Sequence, residues 1–255
     1  MNSVKPGMRK RIAQGDRMLG SFIKLTDPSS IEIFGGTGFD FVVIDQEHGP
    51  FDRQALNIAM LAARAAGVAG VVRVPQPTPD LILSTLDVGA TGILAPHIVT
   101  AEDARGLVSA CRYRSGRRGF SGVTRAGGYG SSSMWQQIDA SDAAIAAIAM
   151  IEDPPALDHL DEILAVDGLD AIFIGRGDLT VAFGARTRND DIVVQAVDRI
   201  LEAARRHGKP VLMLADNPAE AGALFDRGIA SLIVSSDQGL LRKAAAEIAG
   251  EFRAL

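Results

Sequence analysis

Eight short, almost wholly apolar runs alternate with longer Ala/Leu/Arg/Glu-rich segments along the 255 residues, spaced about 20 to 40 residues apart. They are Leu19–Lys24, Phe39–Ile44, Gly70–Val74, Gly92–Ala95, Ala146–Ile151, Ala171–Ile174, Pro210–Leu214 and Ser231–Val234. Strands without polar alternation are buried on both faces, which a parallel sheet covered by helices provides. Eight strand–helix units predict an α/β fold closed into a (β/α)8 barrel, a TIM barrel, as one domain over residues 1–255. Helix punctuation agrees with this. Asp27-Pro28, Thr78-Pro79 and Asn217-Pro218 each set a capping residue before a first-turn proline, and Arg206-His207-Gly208 closes a helix with cations and a glycine.

Charge narrows the partners. With 26 Lys+Arg against 31 Asp+Glu the formal charge is −5, so nucleic acid and anionic membranes are excluded as expected partners. A hydrophobic content of 47% is enough for a sizeable core, yet the longest apolar run, Ala143–Ile151, falls far short of the ~20 residues that span a bilayer. Met1–Gly7 carries a basic residue without an apolar run and does not read as a secretory signal. The lone Cys111 excludes an internal disulfide or a thiolate metal cage, reads as a helix packing position, and fits a reducing cytoplasm. One stretch breaks the strand–helix rhythm. Arg112–Gly122, followed by Gly127–Ser131, is too rich in Gly and Ser for a helix and too long for an idle connection.

In such barrels chemistry sits where strands end and the following loops begin. The polar residues there are Asp45-Gln46-Glu47-His48 after the second run, Arg73 in the third, His97 after the fourth, Glu152-Asp153 after the fifth and Gly175-Arg176-Gly177-Asp178 after the sixth. Glu152 and Asp178 fall on adjacent strands at one rim, where two carboxylates suit a hard divalent cation and leave coordination positions open. The bland alternative is a pair of rim carboxylates bridged to Arg176 or another arginine. Oxygen donors favour Mg²⁺ or Mn²⁺, with Co²⁺ or Zn²⁺ as alternatives. His48 stands beside Asp45 and Glu47, a setting for a general base near neutral pH. Arg73 ends a buried strand and needs an anionic partner, from protein or substrate. Asp87 either terminates a helix or orients an imidazole. His97 is a weaker candidate for substrate contact, and His159 and His207 read as structural. Lys24 is the only strand-associated lysine placed for a Schiff base, a mechanism ranked low.

Taken together, Asp45-Gln46-Glu47-His48-Gly49-Pro50, Val72-Arg73-Val74, Leu86–Ala90, Arg118-Gly119 with Tyr129-Gly130, Ile151-Glu152-Asp153 and Ile174–Leu179 resemble the HpcH/HpaI family of metal-dependent class II aldolases. The likeness spans about Gly20 to Leu241. It implies a lyase that cleaves a 4-hydroxy-2-oxo acid to pyruvate and an aldehyde through a metal-stabilised enolate. It assigns the metal to Glu152 and Asp178, the base to His48 with its basicity raised by Asp87, charge stabilisation to Arg73, and the pyruvate carboxylate to backbone amides of Gly177 and Asp178. Asp45 and Glu47 are supporting residues. The resemblance also implies a homo-oligomer, a trimer or hexamer, with the last helix exchanged between subunits. Two departures bear on specificity: Met150 where the family often has Gln, and Arg176 where it commonly has Pro. The arginines of Arg112–Arg118 suggest an acidic or sugar-acid tail on the aldehyde. The rival readings are a citrate-lyase-like acyl-CoA lyase and a catalytically weak barrel that binds oxo acids.

Overall fold

The computed structural model describes residues 7–255; Met1–Pro6, on which most of the reading of the amino terminus rests, lie outside the described residues. The eight expected strands all form: β1 (Met18–Ile23), β2 (Phe41–Asp45), β3 (Ala69–Arg73), β4 (Gly92–Ala95), β5 (Ala146–Ile151), β6 (Ala171–Ile174), β7 (Val211–Leu214) and β8 (Ser231–Ser236). Each pairs in parallel with its successor, and β8 returns to β1, so the sheet closes as a barrel without edges. Boundaries move by a residue or two for local reasons. β2 starts at Phe41 because Phe39 is turned edge-on against Phe34, 4.7 Å between ring centroids, and its amide donates to the Phe34 carbonyl.

Around the barrel lie α1 (Met8–Ala13), α2 (Pro28–Gly36), α3 (Arg53–Ala65), α4 (Pro79–Asp87), α5 (Ala101–Cys111), α6 (Met134–Ala144), α7 (Leu160–Leu164), α8 (Arg176–Ala182), α9 (Asp191–Arg206), α10 (Pro218–Asp226) and α11 (Asp237–Arg253). Side-chain caps start several of them: Asp27 accepts from Ser29 N–H, Asn217 from Glu220 N–H, and Thr100 with Asp103 forms a capping box on α5. No helix among the described residues is long and apolar enough to cross a membrane. In α11 only Asp237 is buried, while Leu241, Ile248 and Phe252 are more than half exposed.

The strands alternate between two apolar clusters, as a period of two requires. Phe41, Val43, Val71, Leu94, Ile148 and Phe173 fill the lumen, with Met8 and Ile12 of α1 joining them. Val42, Ile44, Val72, Ile93, Ala149 and Ile172 pack outward under the helices. This parity decides the site. Asp45, Arg73, Glu152 and Gly175 continue the lumen-facing series one step past the apolar core, so their positions converge above it.

Candidate active site at the barrel mouth

Asp45 and Arg73 form the floor. Asp45 is fully buried and accepts from Arg73 Nε at 2.9 Å and Arg73 Nη2 at 2.7 Å, while Lys24 Nζ lies 3.1 Å from the same carboxylate. Burial alone would raise the Asp45 carboxyl, but the paired hydrogen bonds and charge of Arg73, with Lys24 adding, hold it below the usual range. An ammonium committed to this ion pair is poorly placed as an amine nucleophile, in keeping with the low rank given to a Schiff base. Arg73 also reaches Glu47 at 3.2 Å and lies 4.9 Å over the Phe22 ring. Its required anionic partner is therefore protein, although a guanidinium carries more N–H donors than these contacts use.

Glu152 stands opposite, 2% exposed, immediately after β5. Its Oε1 accepts the backbone amide of His97 at 3.0 Å, and its Oε2 faces the turn after β6, where a Cβ on Gly175 would come within 2.6 Å. Glycine is thus needed at 175 to leave the carboxylate room. Among the described residues no guanidinium or ammonium is bonded to Glu152. Burial, together with the negative charge of Asp178, pushes its carboxyl up to about 7 against the lowering effect of the His97 amide. Asp178 lies in the first turn of α8. Two carboxylates that repel, one of them buried and raised, fit the demand of a divalent ion. The donors on the Asp178 side are oxygens, the set a hard cation takes.

A second donor group shares Glu152 from its other side. His97 Nδ1 is 3.0 Å from Asp153 Oδ2 and 3.6 Å from Glu152 Oε1, and its Nε2 is 3.8 Å from Glu47. The His97 backbone is in the left-handed region at φ 55°, a conformation that costs a β-carbon residue energy and aims its amide at Glu152. Hydrogen bonding to Asp153 raises the imidazole pKa, against the opposing effect of burial. His97 and Asp153 were legible as rim residues, but that the amide of His97 fixes Glu152 carries no sequence signal.

His48 is half exposed on the β2 loop, its Nε2 3.9 Å from Glu47 Oε2 and its amide donating to Asp45 at 3.2 Å. Glu47 therefore links His48, Arg73 and His97. Asp87 is elsewhere within the chain: it ends α4 and pairs with Arg118 at 3.2 Å, so the carboxylate beside His48 is that of Glu47. Of the arginines in Arg112–Arg118, three have partners within the chain, while Arg117 is exposed. Arg112 pairs with Asp170 at 2.7 Å, Arg114 with Asp139 at 2.6 Å, and the Arg118 side chain is fully buried against Asp87 and Ser141. The buried guanidiniums of Arg112 and Arg118 pin the loop to the barrel wall because buried cations need counter-charges. His159 and His207 are set against Glu162 and Asp161, away from the mouth.

Beside Arg73 and Asp178 a cavity of about 160 Å³ opens, walled also by Phe22, Met150, Gly177 and Leu214. Met150 is buried in this wall, where it offers a thioether and no donor. Arg176 bonds to the Leu214 carbonyl at 2.7 Å and to Glu220 at 2.6 Å, so it does not bridge the rim carboxylates Glu152 and Asp178.

A family model described as HpcH/HpaI aldolase/citrate lyase matches residues 18–244. The chain is 34% identical over 255 residues to a 5-keto-4-deoxy-D-glucarate aldolase of Enterobacter sp., with 99% of both proteins covered. It is 33% identical over 256 residues to a hydroxypyruvate/pyruvate aldolase of Roseobacter denitrificans, with 96% of both covered. A crystal structure of a HpcH/HpaI aldolase/citrate lyase family protein from Burkholderia cenocepacia superposes at a TM-score of 0.91 and 29% identity, covering 96% of this chain and 98% of that one.

Proposed function

The chain belongs to the HpcH/HpaI aldolase/citrate lyase family, and we propose that it is a carbon–carbon lyase that cleaves a 4-hydroxy-2-oxo acid to pyruvate, or a close 2-oxo acid, and an aldehyde. The observation that carries this reading is the buried carboxylate of Glu152, facing the Asp178 turn with no guanidinium or ammonium of the described residues bonded to it. Glu152 and Asp178 would hold a divalent ion, Mg²⁺ or Mn²⁺ by their oxygen donors, with Co²⁺ and Zn²⁺ as alternatives. Such an ion supplies Lewis-acid charge where the oxygen at C2 becomes negative.

The other steps fall to the chain. Backbone amides of Gly177 and Asp178, in the first turn of α8 where a helix leaves N–H groups unpaired, bind the oxo-acid carboxylate. Arg73, fixed by Asp45 and Glu47, stabilises charge on the C4 oxygen as the C3–C4 bond breaks. The electron pair of that bond passes to the pyruvate fragment, the 4-hydroxyl proton leaves to make the aldehyde, and C3 takes up a proton. His48 moves these protons, with Glu47 as its carboxylate neighbour. The oil-lined wall around Phe22, Phe173 and Met150 keeps water from C3.

Two further readings belong here. The uncovered apolar side chains of α11 support its exchange into a neighbouring subunit of a homo-oligomer, a trimer or hexamer. The chain has a single cysteine, Cys111, buried at the end of α5, and a chain that forms no internal disulfide supports a reducing cytoplasm. The test is to strip the protein of metal, restore Mg²⁺, Mn²⁺, Co²⁺ or Zn²⁺ in turn, and follow exchange of pyruvate methyl protons in D₂O beside aldol addition to a panel of aldehydes. Exchange is expected only with metal restored. His48→Ala is expected to lower it by about 10²-fold or more; exchange that survives both chelation and this substitution contradicts the reading.

A further inference from the structure

Beside the mouth cavity a second hollow, of about 460 Å³, is walled by Arg176, Arg188, Asn189, Asp216, Asn217 and Glu220. These residues come from the turn into α8, the connection from α8 to α9, and the turn from β7 into α10. Arg176 and Arg188 line both spaces, so the two hollows meet at one pair of guanidiniums. A tail too long for the mouth cavity would continue past this pair into the second hollow.

We propose that this hollow is the subsite for the tail of the aldehyde, and that it selects a neutral polyhydroxylated tail over an alkyl or a carboxylated one. The inference rests on the aldolase reading above and adds the chemical class of the second substrate. Charge balance decides between an anionic and a neutral tail. Arg176 is matched by Glu220 at 2.6 Å, and Arg188 by both oxygens of Asp216 at 2.9 and 3.0 Å, so two cations meet two anions. Within this wall a tail carboxylate therefore finds no surplus cation.

Hydrogen-bonding capacity decides between a hydroxylated and an alkyl tail. Every wall residue is polar, with guanidinium and amide donors set among carboxylate and amide acceptors. A hydroxyl both donates and accepts, and so replaces the water it displaces at either kind of neighbour. An alkyl chain displaces that water and leaves the polar groups without partners. The wall is also built rather than loose: Glu220 accepts the Asp216 amide at 2.6 Å, Asn217 caps α10 by accepting from Glu220 N–H at 3.0 Å, and Arg176 holds the Leu214 carbonyl. Arg176, with Arg188, joins this wall to the mouth.

The experiment compares erythrose, butanal and 4-oxobutanoate, aldehydes of equal carbon count, as acceptors for pyruvate with the metal-restored enzyme. The expected order in kcat/KM is erythrose above butanal by about tenfold or more, with 4-oxobutanoate below erythrose. Arg188→Leu and, separately, Asp216→Leu are expected to bring the erythrose-to-butanal ratio to within about threefold, mainly through the KM for erythrose. A wild-type preference for butanal or 4-oxobutanoate overturns the proposal, as does a ratio that neither substitution moves. Pyruvate proton exchange without aldehyde, measured on the same preparations, separates the two levels. Its absence from the wild type refutes the aldolase reading and the subsite with it, whereas normal exchange with an unmoved ratio refutes the subsite alone.

Discussion

Glu152→Gln is expected to make the metal-free protein more stable while lowering metal-dependent pyruvate exchange by about 10³-fold, the scale on which a bound cation stabilises developing charge. The stability half follows from linkage. A carboxyl raised from 4.5 to about 7 binds more protons in the folded chain than in the unfolded one, so its penalty is absent below 4.5 and grows as pH rises to about 7. At about 1.36 kcal/mol per pH unit, that difference amounts to ~3 kcal/mol at pH 8 in the absence of a cation. Glutamine keeps an oxygen to accept the His97 amide and carries no charge, so it removes the penalty without losing the hydrogen bond. Thermal unfolding at pH 5 and pH 8 checks this. The wild type should lose stability across that interval and regain it with Mn²⁺, and the variant should do neither. A variant that melts with the wild type at pH 8 contradicts the electrostatic account of the pair.

Arg73→Met is expected to act in the opposite direction, lowering both stability and turnover. It leaves Asp45 fully buried with Lys24 alone as counter-charge. Breaking a buried ion pair from one side costs roughly 3–5 kcal/mol, and Lys24 at 3.1 Å sets the expected loss near ~3 kcal/mol. Because the Asp45 carboxyl is held below its ordinary 3.8, the pair stabilises the fold above that pH and ceases to do so as pH falls through the lowered value. Urea unfolding at pH 7 measures the loss, and adding Asp45→Asn to the variant should recover most of it by removing the orphaned charge. Aldol cleavage should fall by about 10²-fold or more in kcat, the cost of losing one well-placed donor to developing negative charge. A stable Arg73→Met protein with near-normal cleavage would show that Arg73 neither braces Asp45 nor meets the substrate.

The barrel was legible because each strand is apolar on both faces, a property of the local sequence. The ends were less so. Ser235 and Ser236 extend β8 past the apolar run that marks it, held by barrel closure against β1. The rim residues were legible by parity, since Asp45, Arg73 and Glu152 continue the lumen-facing series and the fold brings them over one core. What sequence could not reveal were partners distant along the chain. Asp87 reads as a helix terminus or a partner for an imidazole, and 31 residues separate it from the Arg118 that meets it. The arginines of Arg112–Arg118 read as a basic segment, and the sequence does not reveal that Asp170, Asp139 and Asp87 supply counter-charges to three of them. Arg188 and Asp216 stand in turns with no motif of their own, and only the juxtaposition of the loops after β6 and β7 makes them a wall.

The position of the cation is the decisive measurement, because Glu152 offers one oxygen to Asp178 and the other to His97 and Asp153. Anomalous diffraction at the manganese edge, from crystals grown with Mn²⁺ and pyruvate, should place a single peak within coordination distance of Glu152 Oε2 and a carboxylate oxygen of Asp178, with pyruvate beside it. A peak between His97 and Asp153, or none at Glu152, would contradict the account.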